Sequence, residues 1–240
     1  MDFAEQSSRY KTVMDAVRKY VLEKDFSEEI RLPSETQLAT RLGISRAHVR
    51  EVYRALCVFG VCESRQGEGT FVRSRSHRQI YDTLSVLLLG ITSDIMEIME
   101  VRKTLEAGIA ENAAINRSST DVREMKLCLR KMRSSSDPRE LSRYDNELHQ
   151  VIGRSCGNEI LVELSTIVAG LVHKAILEHW SFIVSDPDHT VRDRTLEQHE
   201  ELVGAIAGRK PAIAKAVAQE HVELVIRSLS RYQNDSRREK

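Results

Sequence analysis

The chain has 240 residues, enough for one large domain or two smaller ones. Hydrophobic residues make up 41%, charged residues 30% and aromatics only 5%, which describes a globular chain with a core of Leu, Val, Ile and Ala, most naturally helical. Lys plus Arg and Asp plus Glu both total 36, so the chain is not a polyanion binder along its whole length.

The distribution of charge is uneven. Between Arg31 and Arg75 eight basic residues stand against four acidic ones, so the positive excess is local and lies near the N-terminus. Residues 9–24 place Tyr10, Val13, Val17 and Val21 at helical spacing. Next, Ser34 and Gln37 form a capping box ahead of Leu38, Ala39 and Leu42, and Gly43 supplies a tight stop. Ser45 caps a second short helix whose Val49, Val52, Tyr53 and Leu56 face inward. That helix also carries Arg46, Arg50 and Arg54 at spacings of four, a basic stripe suited to the major groove. The following "VCESRQGEGTFV" reads as two short strands around a glycine-rich turn, a wing with Arg65, Gln66 and Gly67 at its tip. Helix, turn, basic helix and hairpin in that order predict a winged helix-turn-helix that binds double-stranded DNA.

Residues 74–79 are polar and basic and predict a linker. Beyond them the patterns are helical: 80–89, 94–116, 120–134, 137–156, 159–181, 190–207 and 211–232. The fold class expected is mainly α. A winged helix-turn-helix over 6–73 precedes an antiparallel bundle of about seven helices over 80–236. The longest apolar run, "LSVLLLGI", is too short to span a bilayer and no signal peptide opens the chain. Cys57, Cys62, Cys128 and Cys156 form no CxxC pair and read as reduced thiols, so a cytoplasmic location with no membrane partner is expected.

Several polar residues fall on the apolar faces of these helices. Asp145 and His149 share a face with Leu141 and Ile152. His199 lies among Leu196, Leu202 and Val203, and His221 among Val217, Ala218, Leu224 and Val225. Unpaired burial of such groups is costly, so they satisfy one another, bind water, or share a divalent metal. His173 and His179 also lie on a helix and read as packing or surface residues. Arg102 sits among Ile95, Ile98, Leu105 and Ile109, and its partner is either Glu106 one turn later or a ligand carboxylate.

"LPSETQLATRLGISRAHVREVYRAL" followed by "QGEGTFV" resembles the winged helix-turn-helix of GntR-type bacterial transcription regulators. The resemblance implies DNA contacts from Ser45, Arg46, Arg50, Gln66 and Gly67. Thr36 departs from the basic residue found there in many members of the fatty-acid-regulator type. "VRKTLEAGIAENAA", "YDNELHQVIGRSCGNEIL" and "EQHEELVGAIAGRKPAIAKAVAQEH" resemble the effector-binding helical domain of the FadR-type branch, the FCD domain. The resemblance implies a divalent ion held by Asp145, His149, His199 and His221, and the chemistry of those donors suits zinc foremost, with nickel, manganese or iron as alternatives. It also implies an effector carboxylate meeting that ion and Arg102. The function expected is a homodimeric, metabolite-responsive regulator, a repressor more often than an activator, on a palindromic operator. The alternatives are a metal-dependent hydrolytic enzyme and a regulator whose metal is purely structural.

Overall fold

A computed structural model of the chain describes residues 3–25, 29–73, 84, 86–88, 90–92, 94–186 and 189–238. The chain divides into two compact units, Met1–Leu87 and Leu88–Lys240. The expected linker at 74–79 and most of the expected helix at 80–89 lie outside the described residues.

The first unit opens with α1 (Phe3–Leu22), which begins earlier than the apolar periodicity indicates. Its Val13 and Val17 pack against α2 (Glu35–Leu42) and α3 (Arg46–Val58) through Leu38, Val49, Val52 and Leu56. The capping box is present: the Ser34 hydroxyl accepts from the Gln37 amide, and the Gln37 side chain accepts from the Ser34 amide at 2.9 Å. Gly43 takes a left-handed φ of 67°, which only glycine adopts cheaply, and turns the chain from α2 into α3. Strands β1 (Cys62–Arg65) and β2 (Gly69–Val72) pair antiparallel, with Cys62 opposite Val72 and Arg65 opposite Gly69. Residues 30–32 extend this ladder: Leu32 N–H donates to the Thr70 carbonyl, and Val72 N–H donates to the Ile30 carbonyl. The wing is therefore anchored to the segment that leads into α2.

The second unit contains α4 (Ile95–Asn116), α5 (Ser119–Ser134), α6 (Pro138–Ser155), α7 (Glu159–Ser185), α8 (Thr190–Ala207) and α9 (Pro211–Arg238). Helix α4 is central, packing on α6, α7, α8 and α9. Its Ala107, Ala110, Ala113 and Ala114 are buried, and these small side chains allow neighbours to approach from several directions. Helix α6 starts at Pro138 behind an Asp137 N-cap. It ends before Gly157, whose φ is +74° and where any Cβ would stand 2.9 Å from Asn116 Nδ2. Glycine is needed there on both counts, because Asn116 donates to the Cys156 carbonyl at 2.7 Å across the same corner.

One helix of the bundle is apolar over a longer stretch than any uninterrupted run in the sequence. By length and composition α7 could cross a membrane, with a mean hydropathy of 1.8 over its most apolar window. Reading uninterrupted apolar runs missed this because His173, Lys174, Glu178 and His179 break the run without ending the helix. In this structure α7 lays Val172, Ile176, Trp180 and Ile183 into the bundle core, and the burial of Ile183 accounts for its extension past residue 181.

Candidate metal centre and DNA interface

The reader face is built by local capping. Ser45 ends the turn, and its hydroxyl accepts from the His48 amide and also sits 2.6 Å from His48 Nδ1. The first turn of α3 is thereby fixed, with Arg46 and Arg50 exposed on a face beside that of Val49, Val52 and Leu56. Arg50 Nε donates to Glu35 Oε2 at 3.0 Å, so this arginine is already oriented by α2. At the wing, Gln66 and Gly67 are exposed in the turn between β1 and β2, and Gly67 has φ +78° with nothing near its missing Cβ. Arg65, by contrast, is engaged by Glu29 and Glu63. Ser45, Arg46, Arg50, Gln66 and Gly67 thus all belong to the winged unit, at the helix start and the wing tip where the sequence puts them.

In the helical unit, Asp145 and His149 come from α6, His199 from α8 and His221 from α9. One ligand atom from each lies within 4.8 Å of the others. The His199 and His221 rings are 4.2 Å apart centre to centre, and each is 5.6 Å from His149. Asp145, His199 and His221 are buried, and His149 nearly so. His199 Nε2 stands 3.0 Å from Asp145 Oδ1, yet makes no hydrogen bond of acceptable geometry, and His149 Nε2 and His221 Nδ1 have no partner. Buried polar atoms left in this state cost about 1–3 kcal/mol each, which a shared cation removes. One carboxylate and three imidazoles are a fitting donor set for a divalent transition metal. The four expected residues are therefore brought together, and the arrangement suits an ion.

Around them lies an ionic frame. Arg102 and Glu106 are one turn apart on α4, with Arg102 Nε donating to Glu106 Oε1 at 2.5 Å. Glu106 Oε2 also stands 3.0 Å from His149 Nδ1, so Glu106 links the arginine to the cluster. The sequence offered Glu106 only as a partner for Arg102. Arg102 Nη1 remains buried without a partner. Burial alone would raise the Asp145 carboxyl, but His199, His149 and Arg102 outweigh it and hold the group below the usual carboxylate range. For Glu106 burial again opposes ionisation, and Arg102 and His149 win. Burial pushes His149 down, while Glu106 and Asp145 more than restore it, leaving it raised. Burial and the neighbouring imidazoles push His221 well down.

A cavity of about 460 Å³ opens beside the cluster between α4, α6 and α7. Arg102, Glu106, Asp145 and His149 line one part of it, and Thr166 and Gly170 of α7 line another. A volume in this range suits a small organic ligand. Arg102 is thus both an ion-pair partner of Glu106 and a cavity wall.

Of the two readings open for His179, packing or surface, the structure gives packing. His179 is 1% exposed on α7 beside Trp180, with both ring nitrogens unpartnered. The signal was present, since Val172, Ala175 and Ile176 lie seven, four and three residues earlier on the same face. Burial pushes its imidazole down to about 4. The unfolded chain then binds more protons than the folded one between about pH 4 and the ordinary value of 6.5, so stability falls as pH falls through that window. His221 acts in the same direction, and His149, being raised, acts oppositely only above 6.5. Urea unfolding of the metal-free protein is expected to show a loss of about 2 kcal/mol from His179 between pH 7 and pH 5. A His179→Leu protein should show a correspondingly flatter pH dependence; an unchanged slope would refute the assignment.

Two family models match this chain. Residues 9–72 match the bacterial regulatory proteins of the gntR family, and residues 97–224 match the FCD domain. The HTH-type transcriptional regulator LutR of Bacillus subtilis is 32% identical over 203 residues, covering 84% of this chain and 92% of LutR. The galactonate operon transcriptional repressor of Escherichia coli is 29% identical over 181 residues, covering 73% of this chain and 76% of that protein. Among solved structures, Streptococcus agalactiae GntR superposes with a TM-score of 0.63 at 23% identity, covering 92% of this chain and 99% of the other, and so shares the fold. The family and these relatives are regulators rather than enzymes, which sets aside the hydrolytic alternative raised by the Asp and His residues. The chain belongs to the GntR family of bacterial regulatory proteins and is a DNA-binding transcription regulator whose second part is an FCD domain.

Proposed function

We propose that the protein is a homodimeric, metabolite-responsive repressor of the bacterial cytoplasm. Asp145, His149, His199 and His221 hold a divalent ion, zinc first among the candidates, and a small organic acid binds that ion and Arg102. The observation that carries this reading is the convergence of unpartnered imidazole nitrogens on the buried Asp145 carboxylate, beside a cavity that Arg102 also lines. The charge balance supports it. With the imidazoles neutral, Arg102 faces the two ionised carboxylates Asp145 and Glu106, and a divalent ion reverses that balance to net positive. A net positive, mostly buried end of a cavity favours an anion, and the ion supplies a Lewis-acid partner for a carboxylate oxygen. The galactonate in the name of one relative is an acid of this class.

At the other end of the chain, residues 6–73 form the reader and 80–236 the sensor, joined by the linker at 74–79. Ser45 and Arg46 enter the major groove, Arg50 meets a phosphate at its edge, and Gln66 and Gly67 approach the backbone. Two copies related by a two-fold axis read the half-sites of a palindrome. The acid alters operator affinity by binding one arrangement of the dimer better than another, and only to the extent of that difference.

The test is calorimetric titration of metal-free and Zn²⁺-loaded protein with a panel of hydroxy, sugar and dicarboxylic acids. Binding of at least one acid only when metal is present is expected. Arg102→Lys keeps a positive charge beside Glu106 but loses the planar fork, so it should weaken acid binding about tenfold while leaving metal affinity within a few-fold. Metal binding without any acid binding would leave a structural role for the ion, and equal acid affinity in the Arg102→Lys protein would remove Arg102 from the effector site.

A further inference from the structure

His179 belongs to none of the roles assigned so far, yet a leucine or phenylalanine would fill its place without burying two unpaired nitrogens. The ring lines a second, narrower pocket, a crevice with no room for a water molecule, together with Arg102, Asp145, Thr195 and His221. Arg102 and Asp145 line both pockets, whereas His149 lines only the larger one and His221 and His179 only the narrower. The proposed metal centre therefore has a second flank, and His179 stands on it.

What that flank lacks is a donor for Asp145. The carboxylate now has His199 Nε2 at 3.0 Å and His149 Nε2 at 3.8 Å, both on Oδ1. Once those nitrogens turn to a shared ion, the buried carboxylate needs other donors, and such outer partners are what hold a ligand in orientation. Thr195 cannot serve, because its hydroxyl already donates to the Val191 carbonyl at 2.7 Å. The unspent nitrogens that line this pocket with Asp145 belong to Arg102, through Nη1, to His221, through Nδ1, and to His179, and of these His221 is already one of the four proposed ligands.

We infer that His179 is a positioning residue of the metal centre, donating a ring N–H to the Asp145 carboxylate when that carboxylate holds a divalent ion. The inference rests on the metal reading given above and adds a fifth residue to the four ligands: His179 orients one of them from α7, a helix that supplies no ligand itself.

The experiment compares the full-length wild type with His179→Phe and His179→Gln. Zn²⁺ affinity is read by competition with a chromophoric chelator, Co²⁺ geometry by visible absorption, and metal-free stability by urea unfolding. The Phe variant is expected to bind Zn²⁺ about 10–100-fold more weakly and to show an altered Co²⁺ spectrum, with metal-free stability at pH 7 equal to the wild type or higher. Glutamine keeps an N–H donor and should recover most of the affinity and the wild-type spectrum. Wild-type Zn²⁺ affinity and Co²⁺ spectrum in the Phe variant would overturn the inference alone. Equal losses in the Gln and Phe variants would also overturn it, in favour of packing. A wild-type protein that binds neither ion would overturn the metal centre itself, and this inference with it.

Discussion

Arg46→Ala is expected to lower specific operator affinity about 10–100-fold, the loss of one good bidentate base contact. Arg46 is the first residue of α3, exposed, and without an ion-pair partner among the described residues. The Ser45 cap fixes the backbone from which it projects, so its guanidinium is free to seek a guanine edge. Arg50 is different. Its pairing with Glu35 at 3.0 Å holds it in place but also shares its charge, as suits a phosphate contact. Arg50→Ala should therefore weaken all duplexes alike and reduce the salt slope by about one. Fluorescence anisotropy on a duplex selected from a random library, with a scrambled duplex as control and a salt series for each, separates the two. If Arg46→Ala keeps the wild-type ratio of selected to scrambled affinity, Arg46 does not read a base.

The second large effect is expected from His199→Ala. His199 is wholly buried, 3.0 Å from Asp145 and 4.2 Å from the His221 ring centre, so it lies at the middle of the cluster. Its removal takes one of four donors and leaves Asp145 a buried carboxylate with its closest imidazole gone. Zn²⁺ affinity should fall by more than the roughly 10–100-fold typical of losing an outer partner. The chain's single tryptophan gives an independent readout, since the Trp180 ring stacks on His199 at 6.5 Å with 15° between planes. Ni²⁺ should quench Trp180 emission in the wild type and leave it nearly unchanged in the variant. Elemental analysis showing equal metal in both proteins would mean that these four residues are not the ligands.

The winged unit was legible almost residue by residue because its signals are local. Ser34 with Gln37, Gly43, Ser45 and the Gly67 turn each act within four residues of themselves, and the capping box and turns appear where they were read. Asp145 and His149 were legible as a pair for the same reason, being one turn apart. That His199 and His221 join them depends on how α6, α8 and α9 pack. Pattern alone showed polar residues on apolar faces, and family resemblance joined them. Glu106 reaching across to His149, and His179 facing the Asp145 pocket, were not legible. Both are contacts between helices far apart in sequence, and a histidine on an apolar helix gives no sign of which helix it will meet. The apolar length of α7 was missed for a simpler reason, because hydropathy averaged over a window tolerates interruptions that a run does not.

The placement of the cavity walls has a consequence for how such a protein diversifies. The four clustered side chains come from α6, α8 and α9, and Arg102 from α4, while Thr166 and Gly170 of α7 shape another part of the cavity. Substitutions at those two positions alter the room around an incoming molecule without touching a donor atom. On the proposed function, a lineage, or an engineer building a biosensor, can change which metabolite is heard by editing one stretch of one helix, and keep the machinery that listens.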